Sequence, residues 1–113
     1  MKTHTLFPHQ RMDIYQAALE LVKRVRDAKI RHAELKDQAE RASVSCLLAI
    51  GEGLPHSGEK MRRQYFERAR ASLCELVTAT DGACTLEVMA RDDWERCQDI
   101  AWRVRGMLIG VLR

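Results

Sequence analysis

Apolar side chains recur along the chain at intervals of three and four residues, in four runs divided by short breaks. That spacing places them on one face of a helix each time. The first run predicts a helix over about Arg11 to Arg31, with Met12, Tyr15, Leu19, Val22 and Val25 as its stripe and Ile14, Ala18 and Leu21 widening it. Phe7 precedes it and is expected to fold back onto the helices. The second run spans Ala33 to Gly53, with Leu35, Ala39, Ala42, Cys46 and Ala49 on one face and Val44, Leu47 and Leu48 around the other side. Gly53 reads as a left-handed terminator, followed by Leu54-Pro55, where a helix cannot continue.

Ser57 is placed to cap a third helix, with Glu59 in its first turn. That helix runs from Gly58 to about Met89 and carries Met61, Tyr65, Ala69, Ser72, Leu76, Ala79 and Ala83, although Gly82 in its interior weakens it. Asp92 with Glu95 three residues on reads as a capping box for the fourth. Trp94, Cys97, Ala101, Val104, Met107, Leu108 and Val111 form the last stripe. Short connections force neighbouring helices to run antiparallel. The expected fold is therefore all-α, an antiparallel up-down-up-down four-helix bundle, as a single domain over residues 1–113 with an irregular segment at 1–10.

Helices two and three carry small and polar residues where core helices usually carry Leu and Val. Small side chains let helices approach closely, and polar ones between them need partners, because an unpaired buried polar group costs about 1–3 kcal/mol. With a turn near Leu54 to His56, facing residues have numbers summing to roughly 110–116. Arg41 then lies opposite Glu75, as a charged hydrogen bond between helices, and Ser45 opposite Ala69 to Ala71. Ala42, Ser45 and Ala49 against Ala69 and Ser72 form the close seam. Glu52 sits at a helix end where a carboxylate is unfavourable, so it is expected to find Arg62, Arg63 or a neighbouring subunit. Ile14, Leu21, Val44, Leu47, Val77, Val88 and Ile109 fall off the main stripes, either as scattered exposed hydrophobes or as a second seam buried by self-association.

The composition narrows the function. The chain has 113 residues and a formal charge of +3, which permits nucleic-acid binding without requiring it. It contains no run of about 18 apolar residues that could span a membrane. Met1 to Pro8 lacks the apolar core of a signal peptide, so a cytoplasmic, reducing setting is expected. Cys46, Cys74, Cys84 and Cys97 show no C-x-x-C pairing and are expected to be small buried residues. Di-iron bundles need Glu-x-x-His motifs, and none occurs. His4, His9, His32 and His56 fall in the N-terminal segment or near turns. No cysteine has a histidine one turn away to serve as a base, and no glycine-rich phosphate loop is present. No catalytic residue, metal site or cofactor is expected.

Nucleic acid is the remaining chemistry. Lys60, Arg62, Arg63, Arg68 and Arg70 stand against Glu59 and Glu67, and Lys23, Arg24, Arg26, Lys29 and Arg31 against Asp27. Repeated around an oligomer, either patch would make a positive belt able to displace counterions from phosphates. Glu59–Arg63 and Arg63–Glu67 are helix neighbours at four-residue spacing, however, so a solvated, internally paired face is the competing explanation. Aromatic residues beside the run are few, Tyr65 and Phe66.

The motif Arg41, Ala42, Ser45, Ile50, Glu52 and Gly53, answered by Ala69, Ser72, Glu75 and Leu76, resembles that of the four-helix-bundle proteins encoded by intervening sequences in bacterial 23S ribosomal RNA genes. Met12-Asp13-Ile14-Tyr15-Gln16 and Met107-Leu108-Ile109-Gly110-Val111-Leu112 are similar to that family's opening and closing segments, so the resemblance covers about residues 7 to 112. The chain departs from the pattern at Ala49, where the family has Asn, at Gly51, where it has Ala, and at Ala71, where it has Gly. The resemblance implies an antiparallel bundle assembling as a ring-like homopentamer. A related branch serves as the accessory protein of diversity-generating retroelements and binds nucleic acid and a reverse transcriptase, which makes that enzyme a conceivable partner by analogy.

Two functional readings remain. One is a non-enzymatic oligomeric bundle that binds structured RNA or a ribonucleoprotein through Lys60, Arg62, Arg63 and Arg70. The other is a self-assembling scaffold whose partners are itself and another protein. In both, Arg41, Ser45, Glu52, Ser72 and Glu75 form the polar motif between helices.

Overall fold

The computed structural model describes residues 4–113; the first three residues of the N-terminal segment lie outside them. Four helices follow in order: α1 (Asp13–Asp27), α2 (Ala33–Gly53), α3 (Glu59–Thr85) and α4 (Arg91–Leu112). Each packs on its chain neighbours and α4 closes back on α1, with α2 on α3 the most extensive interface. The Cα atoms fill a slab of 44 × 39 × 20 Å. Neighbours run antiparallel: Ser45 meets Ser72, Gly53 meets Tyr65, and Leu35 approaches Gly82, so positions rise along α2 as they fall along α3. No helix of the described residues is long and apolar enough to cross a membrane.

The α2–α3 seam is built from small residues. Ala39, Ala42, Cys46, Ala49 and Ile50 of α2 are buried, as are Ala69, Ser72, Leu73, Leu76, Ala79 and Ala83 of α3. Ser45 faces Ser72 rather than Ala69 to Ala71, because helix continues to Gly53 and resumes only at Glu59. Gly53 is not left-handed; no described glycine has a positive φ. Its role is steric. A Cβ there would stand 2.9 Å from Tyr65 Cβ and 3.0 Å from Phe66 Cε1, so only glycine admits this approach of α3.

On α1 the buried face is Ile14, Ala17, Ala18, Leu21 and Val25, while Met12 and Leu19 are exposed at its edge. Ile14 and Leu21, expected in a second seam, belong to the chain's own core, because α1 packs against both α2 and α4. Leu47, Val77 and Val88 pack partly buried against that core, which leaves Val44 exposed with its neighbour Leu48. Phe7 does not fold back. It is 69% exposed beside a short 3-10 turn, Pro8–Arg11, with its ring T-shaped to His9, which in turn is T-shaped to Tyr15.

Both connections at one end are tighter than their sequences suggest. α1 stops at Asp27 instead of Arg31 because Ala28 is extended and Ile30 forms an antiparallel bridge to Met89, both side chains being buried. α3 runs unbroken through Gly82 but stops at Thr85. Val88 N–H bonds back to the Ala83 carbonyl and Glu87 N–H to the Cys84 carbonyl, a Schellman ending with Glu87 at φ 60 in the position glycine usually takes. Two caps also differ. Gly58, not Ser57, precedes α3, and Ala90, not Asp92, precedes α4, and neither start has a side-chain cap. His32 does cap α2, its Nδ1 accepting from Leu35 N–H at 3.2 Å.

Candidate nucleic-acid interface

The start of α3 gathers basic side chains because it lies beside both the end of α2 and the end of α4. Lys60 and Arg63 are exposed and Arg62 is half-buried. Arg62 lays its guanidinium 5.4 Å from the Phe66 ring centre, and Arg63 donates through Nη2 to the Leu112 carbonyl. One turn on, Arg68 sits 5.3 Å from the Tyr65 ring centre, and His56 stacks on the same ring at 5.2 Å. The helix neighbours expected to neutralise this run do not. Arg63 pairs with neither Glu59 nor Glu67, because its guanidinium is committed to α4; Glu67 pairs instead with Arg70 at 3.5 Å. Among the described residues, Lys60, Arg62 and Arg63 have no carboxylate within salt-bridge distance, whereas Arg70, the fourth candidate, does.

The second basic run, Lys23 to Arg31, ends at the opposite end of the slab, where Arg26 forms an ion pair and acidic residues of the adjoining segments lie at the same end. Arg26 pairs with Asp27 at 3.0 Å, Arg31 Nη2 donates to the Glu87 carbonyl, and Lys29 N–H donates to Asp93 Oδ2. Residues 26–36 and 86–96, which meet at that end, hold six acidic and six basic residues. Residues 9–14, 49–64 and 107–113, which meet at the other end, hold three acidic and five basic ones. The excess positive charge therefore lies where α3 begins.

The polar motif between α2 and α3 is only partly joined. Ser72 Oγ donates to Ser45 Oγ at 3.0 Å. Arg41 and Glu75 border the same groove, beside Leu35, Gln38 and Cys74, but they do not pair. Arg41 is exposed on the rim and turns to Asp37, one turn back on its own helix, at 3.3 Å. An exposed pair of that kind contributes about 0.3–0.5 kcal/mol, far less than a buried inter-helix pair. Glu52 is exposed and meets neither Arg62 nor Arg63. The buried polar residues missed by sequence reasoning, Ser43 and Thr80, are satisfied within their own helices by the Glu40 carbonyl and by the Leu76 and Val77 carbonyls.

Cys46 and Cys97 are buried, and burial pushes their thiols up to about 12 and about 11; at Cys97 Asp93 adds to the rise and Arg24 opposes it. Both are held as neutral thiols near neutral pH. Cys84 is half-buried, and Cys74 is exposed, a departure from the expected burial, because it lies on the rim of the α2–α3 groove. Among the described residues no group of three or more His, Cys, Asp or Glu side chains converges as a metal site would require. An aromatic surface that sequence reasoning overlooked lies on α4. Trp102 is 64% exposed with the Arg105 guanidinium 5.0 Å from its ring centre. Its signal was its position, one off the apolar stripe.

A search of curated proteins gives no match. The model of one protein family, described as 23S rRNA-intervening sequence protein, matches residues 10–110.

Proposed function

Because the chain belongs to the 23S rRNA-intervening sequence protein family, we propose that it is a non-enzymatic, homo-oligomeric four-helix protein that binds structured RNA through the start of α3. The observation that carries this reading is the set Lys60, Arg62 and Arg63, three cations within four positions with no carboxylate partner at the end of the slab where positive charge is in excess. Such a surface displaces counterions from a phosphate backbone. Repetition of the surface by self-association would add the contributions of several copies. The exposed Val44 and Leu48 on α2, which line one shallow groove with Arg41, supply a self-association face. The ring-like pentamer implied by the sequence resemblance is one such assembly.

The test is retention of a structured RNA by the full chain at two salt concentrations. Affinity should fall by about tenfold or more between about 50 and 200 mM salt. Salt-insensitive binding, or none at the lower salt, would rule the reading out. A scaffold that binds only itself and a second protein is the other reading. The exposed Trp102, above an apolar groove lined by Leu73, Val77 and Ala101, favours it. Co-purification of one defined protein free of RNA would support that reading over the first.

A further inference from the structure

Ten positions along α3 from Arg63, and ten positions back along α4 from the Leu112 carbonyl that Arg63 holds, the two helices frame a groove of about 270 Å³ lined by Leu73, Val77, Gln98, Ala101, Trp102 and Arg105 among others. Trp102 is 64% exposed there, with the Arg105 guanidinium 5.0 Å from its ring centre. We propose that the Trp102 ring is a stacking platform for one unpaired base of the bound RNA. The proposal rests on the RNA reading above and adds a second point of contact, which requires single-stranded nucleotides beside the structured part.

An exposed apolar ring by itself suits a protein partner; three features of its setting suit a base. The first is the extent of the apolar surface. A partner helix docks through a row of apolar anchors at i, i+3, i+4 and i+7 and needs a matching row beneath it. On α3 and α4 the large hydrophobic residues left exposed are Met61, in the first turn of α3, and Trp102, beside Leu73. They are too far apart to form one row, and the ring is bordered by the polar side chains Thr78, Gln98 and Arg105. A single ring is a surface for a single base, because every base has a π-face that stacks on an aromatic side chain. The second feature is charge. Arg105 is the one charged residue of the lining, and no carboxylate lies there to repel a phosphate. A guanidinium on an aromatic ring can stack and still donate to phosphate oxygens. The third is position. The groove continues the furrow between α3 and α4 in which Arg63 meets Leu112, about 15 Å away at about 1.5 Å per residue. A strand with stacked bases covers that distance in about four or five nucleotides at about 3.4 Å each. Phosphates held at Lys60, Arg62 and Arg63 therefore leave a base within reach of Trp102.

The experiment uses RNA hairpins with one stem and a single-stranded extension of about six nucleotides on its 5′ or its 3′ side. The extension carries either bases throughout or abasic sites throughout, so the number of phosphates is the same. Binding to the full chain is followed at fixed salt by fluorescence anisotropy of a dye in the hairpin loop and by tryptophan emission. On one of the two sides, the extension with bases should bind about tenfold tighter than its abasic counterpart and should quench the tryptophan emission more. Trp102→Ala should remove that preference while leaving affinity for the abasic RNA nearly unchanged. Trp102→Tyr should keep most of the preference and lose the added quenching. Circular dichroism of each variant checks its fold, and the comparison of the two RNAs on the unmodified chain stands independently of any variant. Equal affinity for base-bearing and abasic extensions on both sides would overturn the proposal while leaving the RNA reading intact. A preference that survives in Trp102→Ala would also overturn it and leave the groove to a protein partner. If no hairpin binds at low salt, the RNA reading falls and the proposal with it.

Discussion

At the end where the 28–32 and 86–90 connections meet, cations are part of the structure: Arg26 is paired with Asp27, Arg31 holds the Glu87 carbonyl, and Ile30 is buried against Met89. At the opposite end, Lys60 and Arg62 meet no carboxylate, and Arg63 bonds only a backbone carbonyl while bordering a cavity. Both regions read in the sequence as basic runs of similar size. The difference is where the neighbouring chain places its carboxylates. Asp92, Asp93 and Glu95 begin α4 at the first end, whereas the last turns of α4 contain no acidic residue. On the RNA reading, the quantity that matters is the local excess of positive over negative charge, not the number of Lys and Arg residues in a run.

If the first end is structural, packing changes there should cost most. Met89→Ala removes a buried side chain from the bridge with Ile30 and should destabilise the fold by about 3 kcal/mol in denaturant unfolding, without changing RNA affinity at equal folded fraction. At the other end the fold depends on close approach. Gly53→Ala drives a Cβ against Tyr65 and Phe66 and should cost about 1–3 kcal/mol by the same measurement. Because those two aromatics position His56, Arg62 and Arg68, this variant should also weaken RNA binding, which Met89→Ala should not. The smallest expected effect has the opposite sign. Glu87→Gly relieves a left-handed residue at the end of α3 and should stabilise the protein by about 0.5–1 kcal/mol, since the contact made by Glu87 to Arg31 uses its backbone carbonyl.

The number and type of helices were legible because apolar spacing is local information. The bounds of α2 came out as read, from Ala33 to Gly53, and its buried face of Ala39, Ala42, Cys46 and Ala49 followed from the same spacing. The face of α1 was harder. Two overlapping stripes competed, and only the presence of both α2 and α4 selects the one through Ile14 and Leu21. Helix ends set by distant contacts were not legible at all. Ile30 leaves the helix to reach Met89, and the turn that ends α3 puts Glu87 in the left-handed position where sequence patterns look for glycine.

Of the candidate interface, the sequence supplied the residues but not their pairing. Arg63 looked neutralised by Glu59 and Glu67 until α4 offered the Leu112 carbonyl, forty-nine positions away. Arg41 and Glu75, expected to pair, line one groove without doing so. Their side chains stand on its exposed rim, where Asp37, one turn away on the same helix, is the nearer partner for Arg41.

The most direct test of the contrast between the two ends is a matched pair of charge reversals measured on the same structured RNA at low salt. Arg62→Glu with Arg63→Glu should lower affinity by about tenfold or more and flatten its salt dependence, while Lys29→Glu with Arg31→Glu should leave both nearly as they are. Equal losses from the two pairs, or a larger loss from the second, would contradict the assignment of RNA binding to the start of α3.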